Sequence, residues 1–315
     1  MNTNFDQNNK ILGSNGLSRK DVAVVIINYN TSKYTLECVR VVLQVTSEHT
    51  SFQIIVVDNC SAIEDFENLK GNFSSDPRCK LVRSDVNTGF GGGNIYGANH
   101  TNARYLLFLN NDAFLLNDCL SLLTEYMDKH QQVGVCTAQN YDENGKHVPS
   151  FDHNKGFRRL LFGRGFLEAT NPKRYPKRKK VYTNPVSVDW VNGAFLFFRR
   201  EAYEAIGGFD PNIFLYWEEM DLCDRLRKQG LRSVLVPQAR VMHYQGVSIG
   251  QSPEISKEAY RSYLYVVRKK DGPLKYYLTK YYLWLVFLLK PKKRYLIEVL
   301  RDRDPMQNSL ARIVD

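Results

Sequence analysis

An apolar run that stops abruptly at polar residues occurs three times in the first part of the chain, and it constrains the fold more than any other feature. The clearest run is RYLLFLNND (104–112), which ends in Asn111 and Asp112, and VAVVIINYN (22–30) and FQIIVVDNCS (52–61) have the same form. Each run predicts a buried parallel strand with its polar end at the carboxyl edge of a sheet. Open α/β proteins bind ligands at that edge, so a ligand site is expected there.

Segments with helical character separate these runs. An apolar stripe extends from Tyr34 to Leu43 after the first run, EDFENLKGNF follows the second, and a glycine-rich turn at Gly89–Gly93 with a short helix leads into the third. Right-handed crossovers keep parallel strands pointing the same way, so Asp58 and Asp112 should share one edge. The pattern predicts an α/β fold with a mainly parallel central sheet.

The remaining pattern adds further helices and strands to this sheet. Helices are predicted at 119–130, Arg200–Ile206 and 218–229, with strands at 133–139, at 188–198 and at a final run that ends near His243.

Composition limits the class of protein. At 315 residues and 43% hydrophobic residues, the chain can bury a large core, whereas residues 1–20 are rich in Asn, Ser and Gly and predict a disordered tail. No apolar run reaches the roughly 18 residues that a spanning helix needs. Six cysteines without CxxC spacing favour a reducing cytoplasm. The net charge of +10 favours anionic partners, among which nucleic acid, anionic lipid and phosphorylated small molecules all qualify.

Two segments are strongly basic. Residues 155–180 contain ten Lys or Arg and one acid, Glu168, and they predict a basic loop that is either a solvated insertion or a contact for an anionic acceptor or lipid phosphate. Residues 251–315 predict a helical, basic and aromatic C-terminal region. Such a region either lies at a membrane interface or packs on the preceding domain.

Several polar residues suit the chemistry of a nucleotide ligand. Asp112 can hold Mg²⁺ or Mn²⁺ together with substrate phosphates. Glu218 and Glu219 begin a predicted helix, where acids either complement the helix dipole or carry chemistry. The GFGGGN run at 89–94 lacks the third glycine of a dinucleotide fingerprint, which Asn94 replaces, so a dehydrogenase is not indicated.

The same segments resemble the inverting GT-A glycosyltransferases of family 2, particularly the rhamnosyltransferase and galactofuranosyltransferase-like branch. Six blocks carry the resemblance in order: VVIINYN, VVDNCS, NTGFGGGN, FLNNDAFL, the long block from WVNGAFLFF to CDRLRKQG, and HYQGVS. They cover Val22 to Ser248. The resemblance implies a GT-A catalytic domain at 21–250.

The resemblance also implies a donor site. Asn111 and Asp112 stand at the family's metal-binding DxD motif, with Asn110 in place of its first acid, so Asp112 is the implied metal ligand. Asp58 resembles the residue that accepts the N3–H of uracil or thymine, and the stretch from Asn28 to Asn30 stands where the family lines the base pocket. A carboxylate acceptor would select these bases over cytosine, which has an acceptor at that position.

The remaining roles concern catalysis and the acceptor. Glu219 aligns with the family's general base, which inversion requires on the face opposite the leaving group, and His243 resembles a histidine that reaches the metal or diphosphate. The other expected contacts are Gly89, Asn94, Trp190 and Gly193 for the donor sugar, with the core as an equal alternative for Trp190, and Glu218 and Trp217 for the acceptor.

Together these features predict a metal-assisted inverting glycosyltransferase, using Mg²⁺ or Mn²⁺ and a dTDP- or UDP-linked donor, with dTDP-L-rhamnose first. The acceptor would be a surface glycan on a lipid carrier, and the enzyme would lie in the cytoplasm, in peripheral contact with the inner face of the membrane. The alternative prediction is a transferase that uses UDP-galactofuranose, UDP-glucose or a UDP-N-acetyl sugar as its donor. A catalytically silent nucleotide-sugar-binding scaffold and a basic nucleic-acid-binding protein are the alternative classes, and nucleic acid is not the expected partner.

Overall fold

The computed structural model describes residues 19–154, 157–244 and 252–312, with the backbone alone described for 157–161. The predicted N-terminal tail therefore lies almost entirely outside the described residues, as does the QGVS end of the last sequence block.

Within the described chain, ten strands form one sheet. Across the sheet the order is β3 (Cys79–Ser84), β2 (Phe52–Asn59), β1 (Lys20–Asn28), β4 (Ala103–Asn110), β11 (Phe195–Arg199), β6 (Val133–Tyr141), β12 (Arg232–His243) and β5 (Ala113–Leu115), with β7 (His147–Val148) on β6 and β9 (Val186–Val188) on β12. Its first half is parallel, because β1 pairs with β2 and β4, and β2 pairs with β3. The register sets Asn28 beside Asp58, so the polar ends of β1 and β2 meet at one edge, as predicted. The four strands are β1 (Lys20–Asn28), β2 (Phe52–Asn59), β3 (Cys79–Ser84) and β4 (Ala103–Asn110).

Helices cover both faces of the sheet, which explains why the strands read as continuous apolar runs. Alternate residues of a strand face opposite sides, so Val24 belongs to the core under one face and Val25 to the core under the other. The connecting helices are α1 (Ser32–Val45), α2 (Ile63–Gly71), α3 (Gly89–Asn99) and α4 (Cys119–Lys129).

The glycine-rich segment predicted as a turn is instead the beginning of α3. Its glycines let the helix lie directly on the sheet: a Cβ at Gly97 would stand 2.4 Å from a Val25 methyl and 3.0 Å from one of Val57. The prediction of a turn at Gly89–Gly93 was wrong because packing against β1 and β2 outweighs the low helix propensity of glycine.

The second half of the sheet mixes directions. The strands β5 (Ala113–Leu115), β6 (Val133–Tyr141), β11 (Phe195–Arg199) and β12 (Arg232–His243) complete it. Strand β11 is antiparallel to both β4 and β6, while β12 is parallel to β6 and antiparallel to β5. The last pairing sets His243 opposite Ala113, one residue beyond Asp112.

The predicted single strand over 188–198 is three strands. They are β9 (Val186–Val188), β10 (Trp190–Val191) and β11, and β10 leaves the main sheet to pair with β8 (Phe151–Asp152). The small strand β7 (His147–Val148) lies beside β6. The break falls at Asn192 and Gly193, where the Asn192 side chain accepts from the Ala194 N–H and bends the chain.

The predicted basic loop also contains regular structure. Helix α5 (Phe157–Thr170) occupies most of 155–180 and is interrupted at Gly163, where φ is +78°. The two prolines of the segment, at 172 and 176, both follow the helix. They are therefore compatible with a helix that ends at Thr170. Helices α6 (Arg200–Ala205) and α7 (Glu218–Lys228) lie close to their predicted positions.

The C-terminal helix α8 (Pro253–Leu289) is a hairpin of two arms. The backbone is non-helical at Gly272 (φ +81°), which Pro273 follows. The Arg268 guanidinium lies 5.8 Å from the centre of the Tyr276 ring, and the rings of Tyr260 and Phe287 are 5.0 Å apart. Because a straight helix would separate residues 260 and 287 by about 40 Å, the first arm (253–271) and the second arm (273–289) must run antiparallel.

The first arm packs on the sheet domain. The Trp217 indole N–H donates to the Ala259 carbonyl (2.8 Å), and the Lys269 ammonium pairs with the carboxylates of Asp210 (2.7 Å) and Asp221 (2.8 Å). Two 3₁₀ segments, Pro291–Leu300 and Leu310–Arg312, complete the described chain. Of the helices in the described ranges, none is both long and apolar enough to cross a bilayer.

Candidate functional site

A cleft of about 220 Å³ opens at the carboxyl ends of β1, β2 and β4, where the sequence predicts a site. Its walls combine apolar side chains with a row of amides and a hydroxyl. The polar lining residues are Thr31, Asn59, Asn87, Asn110 and Asn111, and the apolar ones include Ile27, Leu109, Phe90, Phe214, Leu215 and Ile255. An apolar cleft with a few fixed polar groups is typical of small-molecule sites.

Asn59 organises the part of this cleft that follows β2. Its amide donates to the Asn87 side chain (2.9 Å) and the Gly89 carbonyl (3.1 Å), while its carbonyl accepts from the Thr88 hydroxyl (3.0 Å). These bonds fix the start of α3 against β2. Asn59, Asn87 and Thr31 were not predicted site residues, although all three belong to or follow the polar strand ends that the sequence displays.

Gly89 joins this wall to the loop before α7. A Cβ at Gly89 would stand 2.1 Å from the carbonyl oxygen of Phe214, and the residue has φ +72°. The next amide, that of Phe90, donates to the same carbonyl (2.9 Å). Gly89 lines the cleft as predicted, yet the close approach that requires glycine there is to protein backbone.

Asn28 and Asp58 lie behind the cleft. Both are fully buried, and the Asn28 amide donates to the Asp58 carboxylate (2.9 Å) and to Asp65 (2.9 Å). The Arg83 guanidinium stands 3.4 Å from Asp58. These two predicted donor-binding residues therefore hold the ends of β1 and β2 together, while Tyr29 of the same segment lines the cleft.

Asn30 and Asn94 also have structural partners. Asn30 has φ +55°, and its side-chain carbonyl accepts from the Ala62 N–H (2.8 Å), which joins the turn after β1 to the start of α2. Asn94 is buried within α3, where its amide donates to the Phe90 carbonyl (2.9 Å). Both side chains shape the edge on which the cleft is built.

Asp112 and His243, the two predicted metal ligands, lie side by side. The His243 Nε2 lies 3.1 Å from Asp112 Oδ1, and the Tyr244 N–H donates to the Asp112 carbonyl (3.1 Å). Beside them, the Asn111 amide donates to the hydroxyls of Thr31 (2.7 Å) and Thr35 (2.9 Å). Strand β5, through its pairing with β12, places an acid after β4 next to a histidine more than a hundred residues later.

This pair fits one side of a divalent cation. A carboxylate oxygen and an imidazole nitrogen are both ligands of Mn²⁺-like ions, and Asp112 Oδ1 is buried with the His243 ring as its neighbour. Among the residues that the structure describes, no group of three His, Cys, Asp or Glu side chains could hold a metal ion. The remaining ligands of a bound ion would therefore include the oxygens of a phosphorylated ligand.

Glu219 faces Gly193 at the same edge. A Cβ at Gly193 would stand 3.5 Å from Glu219 Oε1, so the glycine backbone lies directly beside the carboxylate. Burial raises the pKa of Glu219 to about 7, and the nearby charge of Asp152 adds to the shift. The Asn110 N–H donates to the carbonyl of Ala194 (3.0 Å), so the Gly193 turn is bonded directly to the strand that delivers Asp112.

Glu218 is more deeply buried than Glu219. It is 3% exposed, and within the described chain its Oε1 has no hydrogen-bond partner. Burial and the neighbouring charge of Glu219 raise its pKa well above the usual range of a glutamate. Burial at this position therefore favours the neutral form of the Glu218 carboxyl.

The loop that carries these acids is strained. Tyr216 (φ +69°) and Trp217 (φ +73°) are consecutive left-handed residues immediately before α7, a conformation that costs about 1–2 kcal/mol per residue. The Trp217 ring lies 6.2 Å from that of Trp190 and 4.9 Å from that of Tyr263. Trp190 is 9% exposed and belongs to the core, which is one of its two predicted roles.

Arginines of the basic segment 155–180 pair with buried acids near Glu219. Arg174 lies 2.6 Å from Asp189, which is 3% exposed, and Arg164 lies 3.0 Å from Asp152. The segment was predicted to be either a solvated insertion or a contact for an anionic ligand. These two arginines instead form ion pairs with acids of the protein, and the pairs hold the segment against the domain. No local pattern indicates these ion pairs, because the two partners of each pair are 12 and 15 positions apart in the sequence.

Solved structures identify the fold. The chain matches a structure of GalNAc-T7 with UDP, GalNAc and Mn²⁺ at TM-score 0.57 and 18% identity, over 80% of this chain and 48% of that one. It matches the mannosyltransferase PcManGT of Pyrobaculum calidifontis, in complex with GDP-Man and Mn²⁺, at TM-score 0.55 and 13% identity, over 80% and 64%. The protein has the GT-A fold, as predicted.

Sequence comparison identifies the family. The family model described as glycosyl transferase family 2 matches residues 23–207, more than half of the chain. The chain belongs to glycosyltransferase family 2, which confirms the predicted family.

Rhamnosyltransferases are among its relatives. The chain is 38% identical over 98 residues to the N-acetylglucosaminyl-diphospho-decaprenol L-rhamnosyltransferase of Mycobacterium tuberculosis, covering 30% of this chain and 32% of the relative. It is 28% identical over 167 residues to rhamnosyltransferase WbbL of Escherichia coli K12, covering 48% and 62%. The matched regions therefore span less than two thirds of either relative.

Proposed function

We propose that this protein is an inverting glycosyltransferase that moves L-rhamnose from dTDP-L-rhamnose to a hydroxyl of a lipid-linked, surface-glycan acceptor. The single observation that carries the proposal is the placement of Glu219: a carboxyl with a pKa of about 7 that lies against Gly193, on the edge that also presents Asp112 and His243. The names of the two relatives support rhamnose as the sugar and a diphospho-lipid as the acceptor carrier.

Glu219 acts as the general base. Its carboxylate takes the proton from the acceptor hydroxyl while the hydroxyl oxygen forms a bond to the anomeric carbon, and the bond from that carbon to the diphosphate breaks. The electron pair of the broken bond leaves with the nucleoside diphosphate, and the attack from the opposite face inverts the anomeric configuration. A base with a pKa near the working pH is suited to this step, because it is ionised before transfer and basic enough to hold the proton.

Asp112 and His243 would hold a divalent cation, Mg²⁺ or Mn²⁺, at the diphosphate end of the site. Such an ion, when bound, neutralises the charge that develops on the departing diphosphate. The nucleoside would lie in the cleft against Tyr29, Thr31 and Asn59, with Asp58 supporting this wall from behind. In this proposal Asp58 accepts the N3–H of the nucleobase. Because Asp58 is fully buried and bonded to Asn28, the side chains in front of it must move when the donor binds.

The donor panel tests the proposal. Purified protein is mixed with UDP-, dTDP- and GDP-sugars in Mg²⁺ or Mn²⁺, and the change in melting temperature and the release of nucleoside diphosphate are both measured. We expect the largest stabilisation from dTDP-L-rhamnose, with transfer to a diphospho-lipid acceptor that Glu219→Gln abolishes. Preferential stabilisation by a GDP-sugar would contradict the prediction that the donor carries uracil or thymine as its nucleobase.

A UDP-linked donor is the second candidate. The GalNAc-T7 structure to which the fold is similar contains UDP, and an imide N3–H is common to uracil and thymine. A larger response to a UDP-sugar than to dTDP-L-rhamnose would select this candidate. Binding of either donor without turnover would instead favour a silent nucleotide-sugar-binding scaffold.

A further inference from the structure

The second arm of α8 presents one exposed, apolar and aromatic face. Its most exposed members are Leu274 (73% exposed), Tyr277 (64%), Tyr281 (61%) and Leu289 (81%). Three- and four-residue spacings place them on one side of the helix. Leu278, Trp284, Leu285 and Leu288 are the other exposed apolar residues of this arm.

The opposite side of the same arm is already packed. Tyr276, Thr279, Leu283 and Phe287 are buried, and Phe287 contacts Tyr260 of the first arm. The hairpin therefore has its core contacts in place, and the exposed face is a separate surface. Monomeric proteins rarely leave a contiguous apolar surface of this kind without a partner.

The segment that carries this face contains charges of one sign. From Pro273 to Tyr295 the sequence contains no Asp or Glu, while it contains five lysines and one arginine. Four of these cations are exposed in a cluster just after the arm: Lys290, Lys292, Lys293 and Arg294. An apolar and aromatic helix face next to such a cluster suits the surface of an anionic bilayer.

The face is connected to the site. Phe287, near the end of the second arm, packs on Tyr260, and the Ala259 carbonyl beside Tyr260 accepts from the indole of Trp217. Trp217 directly precedes Glu218 and Glu219 on α7. The basic end of the second arm therefore lies at the same end of the hairpin as the loop that carries the candidate base.

We propose that the exposed face of the second arm, with residues 290–294, is the surface by which this protein lies on an anionic lipid bilayer. Bilayer binding would bring the loop before α7 to a lipid-linked acceptor, and this purpose rests on the proposed function. A second copy of the chain is the less suitable occupant, because residues 273–295 contain no acid that could pair with the cations of a second copy.

Vesicle flotation of the full-length protein tests this surface. Neutral phosphatidylcholine vesicles are compared with vesicles in which about a third of the lipid is phosphatidylglycerol, without donor or acceptor. We expect the protein to float with the anionic vesicles, and the triple variant Tyr277→Ser/Tyr281→Ser/Leu285→Ser to bind about tenfold more weakly or worse. Leu116→Ser/Val181→Ser is the matched control, because both residues are exposed apolar side chains outside α8.

A second variant separates charge from apolar contact. Lys292→Glu/Lys293→Glu should lose the preference for anionic vesicles and the sensitivity of binding to salt, without altering the apolar face. We expect each variant to fold, because the substituted side chains are exposed. Thermal melting followed by circular dichroism checks this.

Three results would overturn the inference. The wild-type protein would fail to float with either vesicle, the triple variant would bind as the wild type does, or sedimentation would show a dimer that the triple variant dissociates, which assigns the face to a second copy. Donor-dependent release of nucleoside diphosphate is measured separately in the same variants. Loss of vesicle binding with retained turnover, or the reverse, therefore distinguishes failure of this inference from failure of the proposed function.

Discussion

The pH dependence of transfer should follow the ionisation of Glu219. The buried carboxyl has a pKa of about 7, so about 9% of it is ionised at pH 6 and about 91% at pH 8. Since only the ionised form accepts a proton, the rate of the chemical step should rise about tenfold over this interval and then level off. An ordinary glutamate, with a pKa near 4.3, would give a flat profile over the same range.

Single-turnover release of nucleoside diphosphate, at saturating acceptor, isolates this step from product release. The Glu219→Gln variant should lose the inflection and fall about 10²- to 10⁴-fold in rate, which is the usual contribution of a general base. Gln keeps the shape of the side chain, so donor binding should be retained. A wild-type rate that is constant from pH 6 to 8, or a Gln variant that reacts at the wild-type rate, would refute the role of Glu219.

Four other sites give further expectations. Gly89→Ala should destabilise the fold by about 2 kcal/mol or more, read as a lower melting temperature, because its Cβ would meet the Phe214 carbonyl at positive φ. Asp112→Asn should remove the part of donor affinity that depends on Mn²⁺ in titration calorimetry, and keep the metal-free part. For Glu218→Gln, the melting temperature relative to the wild type should increase as the pH rises from 5 to 8. The raised pKa of Glu218 means that the folded wild-type protein retains a proton that its unfolded chain releases, so the wild type loses stability over this range. Arg174→Gln should cost about 1–2 kcal/mol, since it leaves a buried aspartate with weaker partners.

Two of these variants, Gly89→Ala and Arg174→Gln, have a matched control in the chain. Gly71→Ala adds a Cβ into open space at the end of α2, and it should leave the melting temperature unchanged or higher. Lys173→Gln removes an exposed cation next to Arg174 and should have little effect. Equal losses for Gly89→Ala and Gly71→Ala, or for Arg174→Gln and Lys173→Gln, would contradict the assigned contacts. A Glu218→Gln difference that does not change with pH would contradict burial of the neutral acid.

The edge of the sheet could be predicted from the sequence because the signal is local. An apolar strand followed at once by polar residues determines where the chain leaves the sheet, and right-handed crossovers align successive strands. This reasoning placed Asp58 and Asp112 at one edge. His243 was added by the family resemblance alone, and the structure places its ring nitrogen 3.1 Å from the Asp112 carboxylate. It did not determine which polar residue at a strand end faces the cleft.

That choice depends on the alternating direction of side chains. Asp58 and Asn59 are adjacent in sequence, yet Asp58 is buried behind the wall and Asn59 lines the cleft. A shift of one residue reverses the faces, and composition carries no information about it. Helix α5 was missed for a different reason, because its position depends on ion pairs with distant acids such as Asp152.

The residues that form the candidate site extend beyond the segment that the family model matches. The family model ends at residue 207, whereas Glu219, His243 and the cleft residue Ile255 all lie beyond it. An exchange of segments between relatives that cuts at 207 would therefore pair a cleft wall from one parent with the candidate base Glu219 and with His243 from another. The contacts of Gly89 with Phe214, and of Trp217 with Ala259, predict that functional chimeras must carry residues 209–289 together.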